Sequence, residues 1–492
     1  MLRATAGWIW LALLLAAPWA DACLDDWAKV ALGATAMLAT LLWGAHHIRM
    51  VPRRRRAGPR LLREAAGGGA GWRGWGKGWG WGGWGGWIPT IIVAALLLLG
   101  WWMTANAHSI YLPARRAFAP VTPLVPGLPG AADRFTAAET LWPLTGILGL
   151  LLIAADLGRE PLWRQRFAWC VSLTAASIAA YGALEKLRWL PHLTVQPGFP
   201  GSAFGPFDYH GNAAAFLNLA LPAPFFLAFA PSPHLSSTSY SSRVIAGGLL
   251  LICLVGEAAN ISRAGVILGG GELAVLLGWL VLTHRPRALR RPIFLLGAAA
   301  LATLLAAGVA MTFFLHPGHR GSLFQDYLQR PFSQSGRFLA WRVAWGMSKD
   351  APVFGSGPGS FKLLFPLSSH WIPELYSRWI ITWHTPGTRV SGWSYACEDY
   401  LQTLVEWGWA GAVLWALLVG GGLVCLLKGL WDRRTDGRDR WFRFALLVAL
   451  GGVLAHAAFD YPLQIVALQL YAGSYLGAAW SGAGRMAKGQ EA

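Results

Sequence analysis

Three arginines and one pair of adjacent carboxylates are the side chains in this sequence best suited to chemistry: Arg263, Arg337 and Arg342, and Glu398 with Asp399. A guanidinium offers a fixed fork of donors that matches phosphate oxygens, stays charged at any relevant pH, and makes charge-assisted hydrogen bonds of roughly 1.5–3 kcal/mol. The arginines therefore suit phosphate recognition, although any single one could instead pair with a lipid headgroup or a nearby carboxylate. Glu398 and Asp399 precede a stretch that turns apolar and helical from Tyr400. Acidic residues in a first helical turn complement the helix dipole, and the same place would suit a general base beside bound phosphate. Composition alone leaves both readings standing. His210 and Asn212, at the mouth of one apolar segment, and His456 with Asp460, at the end of another, are supporting polar groups. The run Gly355-Ser356-Gly357-Pro358-Gly359 lacks the Lys-Ser/Thr that would follow in a nucleotide loop and reads as a tight turn.

These residues must be positioned by helices in lipid. The chain of 492 residues is 55% hydrophobic and only 13% charged, with a mean hydropathy of +0.42, whereas a soluble domain would be nearer a quarter charged. Apolar runs long enough to cross a core of about 30 Å recur along it. They predict an all-α, polytopic membrane protein of about twelve helices, near 7–20, 27–45, 88–106, 140–157, 168–187, 212–230, 243–260, 265–283, 292–315, 408–427, 441–462 and 464–481. Uninterrupted Leu/Ala/Val runs exclude the alternation of a barrel.

The net charge of +18 suggests nucleic acid until its distribution is read. Arg53–Arg56 with Arg60 and Arg63, then Arg285, Arg287, Arg290 and Arg291, then Arg433, Arg434, Arg438 and Arg440 fall on alternate loops. That is the positive-inside pattern. It places both termini in the cytoplasm, the 316–400 loop outside, and membrane lipid rather than nucleic acid as the partner of the basic charge. The low-complexity Gly/Trp tract at 67–87 reads as a surface-anchoring linker. Ala20-Asp21-Ala22 resembles a signal cleavage site, but an uncleaved first helix is the preferred reading. The five cysteines lack metal spacing. The expected organisation is N-terminal spans over 1–203 with a basic linker at 46–87, a second membrane unit over 204–481 containing the 316–400 loop, and a cytoplasmic tail at 482–492.

From Phe204 to Gln464 the sequence resembles the O-antigen ligase and polymerase superfamily of bacterial envelope proteins. The residues carrying the resemblance are Tyr209-His210-Gly211-Asn212, Ser262-Arg263-Ala264-Gly265, Gly336-Arg337 with Trp341, Lys349–Pro352, the Gly355–Phe361 loop, Asp399–Gly411, and His456 with Asp460–Gln464. The resemblance implies transfer of glycan from an undecaprenyl-pyrophosphate carrier to an acceptor sugar or protein hydroxyl, outside the bacterial inner membrane and without nucleotide, metal or other cofactor. The ligases end their loop in His-Asn/Ser/Gln, nine residues, then Gly-x-x-Gly. Aligned on Gly408 and Gly411, the histidine position here is Cys397, followed by Glu398. On this reading Arg263 and Arg337, with Arg342, hold pyrophosphate, and Glu398, Asp399 and Cys397 are the candidate catalytic residues. Two rival readings are a small-anion transporter, which would need facing ionisable residues such as Glu257, Glu272 or Asp156 within the membrane, and an inactive scaffold of an export complex.

Overall fold

The computed structural model describes residues 1–65, 87–112, 115, 117–191, 193, 203–231, 237–260, 262–283, 336–369, 372, 375 and 393–481. Among them run α1 (Leu2–Ala16), α2 (Asp26–Ala65), α3 (Ile88–Ala105), strands β1 (Ser109–Leu112) and β2 (Ala117–Pro120), and α4 (Arg134–Leu157). There follow α5 (Pro161–Lys186), α6 (His210–Ala220), α7 (Pro222–Phe229), α8 (Ser237–Ala259) and α9 (Arg263–Thr283). The remaining helices are α10 (Gly336–Asp350), α11 (Phe361–Ser369), α12 (Asp399–Trp431), α13 (Gly437–Ala457) and α14 (Val466–Trp480).

Nine described segments are long and apolar enough to cross a membrane, α6 and α7 together making one of them. The protein is a multi-pass helical membrane protein. Helices α1 and α14, at 15 residues each, cover the expected first and last crossings but are shorter than a bilayer core requires. The expected crossing at 292–315, most of the Gly/Trp tract, the cluster Arg285–Arg291 and the tail at 482–492 lie outside the described residues, as do 316–335 and most of 370–392 of the long loop.

Helix boundaries follow local chemistry. Asp133 caps α4 by accepting from Thr136 N at 2.8 Å, and Asp436 caps α13 by accepting from Arg438 N at 3.2 Å. Pro222 separates α6 from α7, since its ring and missing N–H break the ladder. The one sheet among the described residues is an antiparallel pair, Ser109 opposite Pro120 and Leu112 opposite Ala117.

The two ends of the bundle differ. At the end where both described termini lie, Arg3 pairs with Asp156 at 2.7 Å and with Glu160, and Arg164 of α5 pairs with Asp439 of α13. This is the basic end. The other, the loop end, carries α10, α11 and the start of α12. Helix α10 is amphipathic, burying Ala340, Val343, Ala344 and Met347 at helical spacing. With Phe361, Phe365 and Val405 they form a second, smaller core separate from the main one.

The glycine run is a structural turn, and its partner is a break in α12. Gly408 takes φ +60° and interrupts the helix. Val405 and Glu406 carbonyls accept from Ser356 N and Gly357 N at 2.9 Å each, while Trp409 N and Ala410 N donate to the carbonyls of Pro352 and Val353 at 2.9 Å each. The hydrogen bonds lost at the break are thus exchanged with the loop. A Cβ on Gly408 would lie 2.5 Å from Gly355 N, and one on Gly355 would lie 2.6 Å from Gly408 N, so the two backbones touch only as glycines. The buried Glu406 carboxylate completes the junction, accepting from Gly359 N at 2.9 Å and Gln402 Nε2 at 3.0 Å.

Candidate active site at the loop end

Four chain segments far apart in sequence meet at the loop end. The start of α10 brings Arg337, the residue before α6 brings Tyr209, and the segment after α13 brings Phe459, Asp460 and Tyr461. The start of α12 brings Cys397, Glu398 and Asp399. Arg337 is the hub. Its Nη1 donates to the Phe459 carbonyl and its Nη2 to the Tyr209 hydroxyl, both at 2.8 Å. The Asp460 carboxylate stands 3.6 Å from the same guanidinium. Tyr209 passes its own proton on, donating to Asp460 Oδ2 at 3.2 Å. Three groups therefore fix the orientation of one guanidinium, whose side chain keeps 42% of its surface exposed.

Burial pulls the Arg337 guanidinium down, but Asp460 and then Tyr209 outweigh it, so it lies above its ordinary value and is a permanent cation. The same surroundings push the Tyr209 and Tyr461 hydroxyls up, burial first and Asp460 next. Both are neutral donors at physiological pH. Tyr461 is stacked between Tyr209, with centroids 5.8 Å apart, and Tyr395, at 4.6 Å, which walls one side of the cluster with aromatic faces.

The structure separates the expected site residues. Arg337, Asp460 and Cys397 come together, and His456 lies one helical turn before Asp460, its carbonyl accepting from Asp460 N at 3.1 Å. His456 is 1% exposed, and among the described residues neither ring nitrogen has a hydrogen-bond partner. His210 and Asn212 are near: the His210 carbonyl accepts from Asn260 Nδ2 at 2.9 Å, which ties the α8–α9 turn to the start of α6. That turn carries Arg263, exposed at the first position of α9. Arg342 is exposed on α10, where no described ion pair or hydrogen bond joins it to the cluster of Arg337.

Each acidic candidate has a structural task. Glu398 is the N-cap of α12, accepting from Tyr400 N at 3.3 Å and Leu401 N at 2.5 Å. Asp399 accepts from Leu463 N and Gln464 Nε2 at 2.9 Å each, clamping the turn after α13 to the start of α12. Burial raises Glu398 above the ordinary glutamate value, against the pull of its two backbone hydrogen bonds. Cys397, with φ +53°, is a free, buried thiol pushed up by burial to about 12 although Arg337 pulls the other way. Burial thus favours the protonated thiol over the thiolate.

Tyr209 is the residue that sequence reasoning passed over. It stands in the quoted Tyr209-His210-Gly211-Asn212 run, yet a tyrosine at a span mouth reads first as an interfacial aromatic. Its role as the bridge between Arg337 and Asp460 depends on partners 128 and 251 positions away.

Among the described residues no group of three or more His, Cys, Asp or Glu side chains could hold a metal ion. No curated protein matches the chain. Residues 248–416, about a third of the sequence and the stretch that holds Arg263, Arg337 and the Glu398–Asp399 pair, match the family model described as O-antigen ligase, which supports the resemblance to the O-antigen ligase and polymerase superfamily.

Proposed function

We propose that this protein transfers a glycan from an undecaprenyl-pyrophosphate carrier to an acceptor hydroxyl, on a glycan or a protein, at the outer face of the bacterial inner membrane. The observation that carries the reading is Arg337. It is a cation oriented by Tyr209, Asp460 and the Phe459 carbonyl, with part of its side chain left open at the mouth of a membrane bundle. Pyrophosphate is a good leaving group, and a pre-oriented guanidinium stabilises the charge that develops as it departs. Arg263, on a turn tied to the same cluster, would share the second phosphate. The carrier's polyprenyl chain would remain in lipid.

Glu398 is the proposed proton acceptor. Its cap bonds use one lone pair on each oxygen and hold the carboxylate in a fixed direction, with further acceptor capacity on both. A second reading assigns that role to His456, favoured by its unpartnered ring nitrogens beside Asp460. It would place a histidine near Arg337 although the sequence has Cys397 where the ligases have theirs.

The test is gene deletion and complementation, read by gel analysis of surface glycans together with lipid-linked intermediates. Loss of the transferase should accumulate carrier-bound glycan, and Arg337→Ala should reproduce the deletion while the protein remains inserted. Normal surface glycan with Arg337→Ala would remove pyrophosphate binding from that residue. Sidedness is checked by labelling cysteines placed at Lys349 and Arg434, both exposed. The proposed topology expects Lys349→Cys alone to react with an impermeant reagent from outside.

A further inference from the structure

Within the membrane-spanning part, away from the arginine cluster, two glutamates stand where the transfer reaction has no use for them. Glu257 of α8 and Glu272 of α9 are 7% and 6% exposed, and both lie in candidate spans. Among the described residues none of their four carboxylate oxygens has a hydrogen-bond partner. Asp156, the third internal acid, shows what ordinary accommodation looks like: it takes Arg3 Nε at 2.7 Å and Trp43 Nε1 at 3.0 Å, with His47 at 3.4 Å. A lone ionised carboxylate in such surroundings is costly, and buried polar groups without partners are rare in folded proteins.

The surrounding backbone is shaped to admit these groups. Gly265, Gly269 and Glu272 lie along one face of α9 at helical spacing. A Cβ at Gly265 would stand 2.4 Å from Glu257 Oε1, one at Gly269 would stand 2.5 Å from Asn218 Oδ1, and one at Gly452 of α13 would stand 1.6 Å from Glu272 Oε1. Asn218 Nδ2 is anchored on the Gly265 carbonyl at 3.0 Å, which directs its Oδ1 toward Gly269. A cavity of about 20 Å³ opens between α6, α8 and α9, lined by Asn218, Cys253, Glu257 and Gly269. That is room for roughly one water-sized occupant. The Tyr475 hydroxyl of α14, in a residue 1% exposed, is also unpartnered and within electrostatic reach of Glu272. Among the described residues α5, α6, α7 and α13, which pack against α8 or α9, bring no lysine or arginine into an ion pair with either carboxylate. The titratable groups coupled to them are Cys253 and Tyr475. His210 and His456 stand at the loop end of α6 and α13.

We propose that Glu257 and Asn218, with Glu272 deeper between the same helices, line an intramembrane track that binds a monovalent cation, either a proton or an alkali ion, at one carboxylate at a time. Glu257 lies two residues from the end of α8 and Glu272 nine residues into α9, depths of about 3 Å and 14 Å at 1.5 Å per residue. The site is therefore a polar track entered from the loop end. A divalent ion is a poor fit, because it would ask for about six or more oxygens. The inference does not depend on the glycan-transfer reading.

The full-length protein in detergent is treated with dicyclohexylcarbodiimide, an apolar reagent that adds to protonated carboxyls, and the labelled residues are identified by mass spectrometry. The expected result is labelling of Glu257 or Glu272 that is lost in E257Q and E272Q respectively. Protection by NaCl but not by KCl at fixed pH and ionic strength assigns an alkali-ion site. Protection only when pH is raised from about 5 to about 9 assigns a proton site. Labelling of neither glutamate under any of these conditions overturns the proposal. A second readout guards against misfolded variants: the thermal unfolding midpoint of the wild type should shift with the protecting cation, and E257Q should keep a cooperative transition but lose the shift. An identical shift in both proteins also overturns it.

Discussion

Arg164 and Arg337 show how differently the two ends of the bundle use an arginine. Arg164, with 6% of its side chain exposed, is closed on Asp439 between α5 and α13, and its guanidinium also lies over the Phe442 ring at 5.7 Å. Arg337 is held by a carbonyl and a hydroxyl, has its carboxylate at the longer distance of 3.6 Å, and leaves 42% of its side chain exposed. The first arginine completes a contact between helices. The second is oriented without being consumed, and that is the difference between a structural cation and one available to a ligand.

The largest expected effect tests the proposed proton acceptor at the same end of the bundle. Glu398→Gln should lower glycan transfer by the roughly 10²–10⁴-fold typical of losing a general base. Since the active form is the ionised one, and burial raises Glu398, transfer should fall with decreasing pH at values above the ordinary glutamate range of about 4.3. If His456→Gln produces that loss and Glu398→Gln does not, the base is the histidine. Next comes Arg337→Ala, which should cost about 10²–10³-fold, the scale of removing one preorganised donor to developing charge. Lys at 337 should rescue only part, because it keeps charge but loses the fork. At the basic end, Arg164→Ala should leave the rate per folded molecule unchanged but lower stability by about 1.5–3 kcal/mol, the scale of losing one charge-assisted contact to Asp439. A large fall in rate there would erase the distinction between the two ends.

Smaller effects sharpen the comparison. Tyr209→Phe keeps the ring stack but removes the hydroxyl shared by Arg337 and Asp460, a loss of about 1 kcal/mol or several-fold in rate. Cys397→Ser should be tolerated, because a thiol pushed up to about 12 contributes no thiolate near neutral pH.

How much of this was legible beforehand depended on range. The spans were readable because lipid demands long apolar helices, and the starts of α3 at Ile88 and α9 at Arg263 fall within two residues of where hydropathy puts them. The glycine run was readable as a turn because it lacked the residues of a nucleotide loop. Arg337 was nominated by its chemistry, but equally so was Arg342, and only the geometry of α10 separates them. Glu398 carried two readings, and the cap it makes realises the structural one without removing the other. Long-range convergence was the part hidden from local pattern. Nothing near Tyr209 signals Asp460, and nothing near Glu272 signals that Gly452 makes room for it.

The exchange of hydrogen bonds at Gly408 has a consequence for how the protein opens. Four backbone groups of α12 that would ordinarily pair with one another in two helical bonds instead make four bonds with residues 352–357. Amide protons of Ser356, Gly357, Trp409 and Ala410 should therefore exchange with solvent deuterium as one cooperative unit. Peeling the loop away would expose helix carbonyls at the membrane surface. An Ala at Gly408 would then be felt as faster exchange at Ser356 and Gly357, fifty positions upstream, before any change appeared in the apolar half of α12.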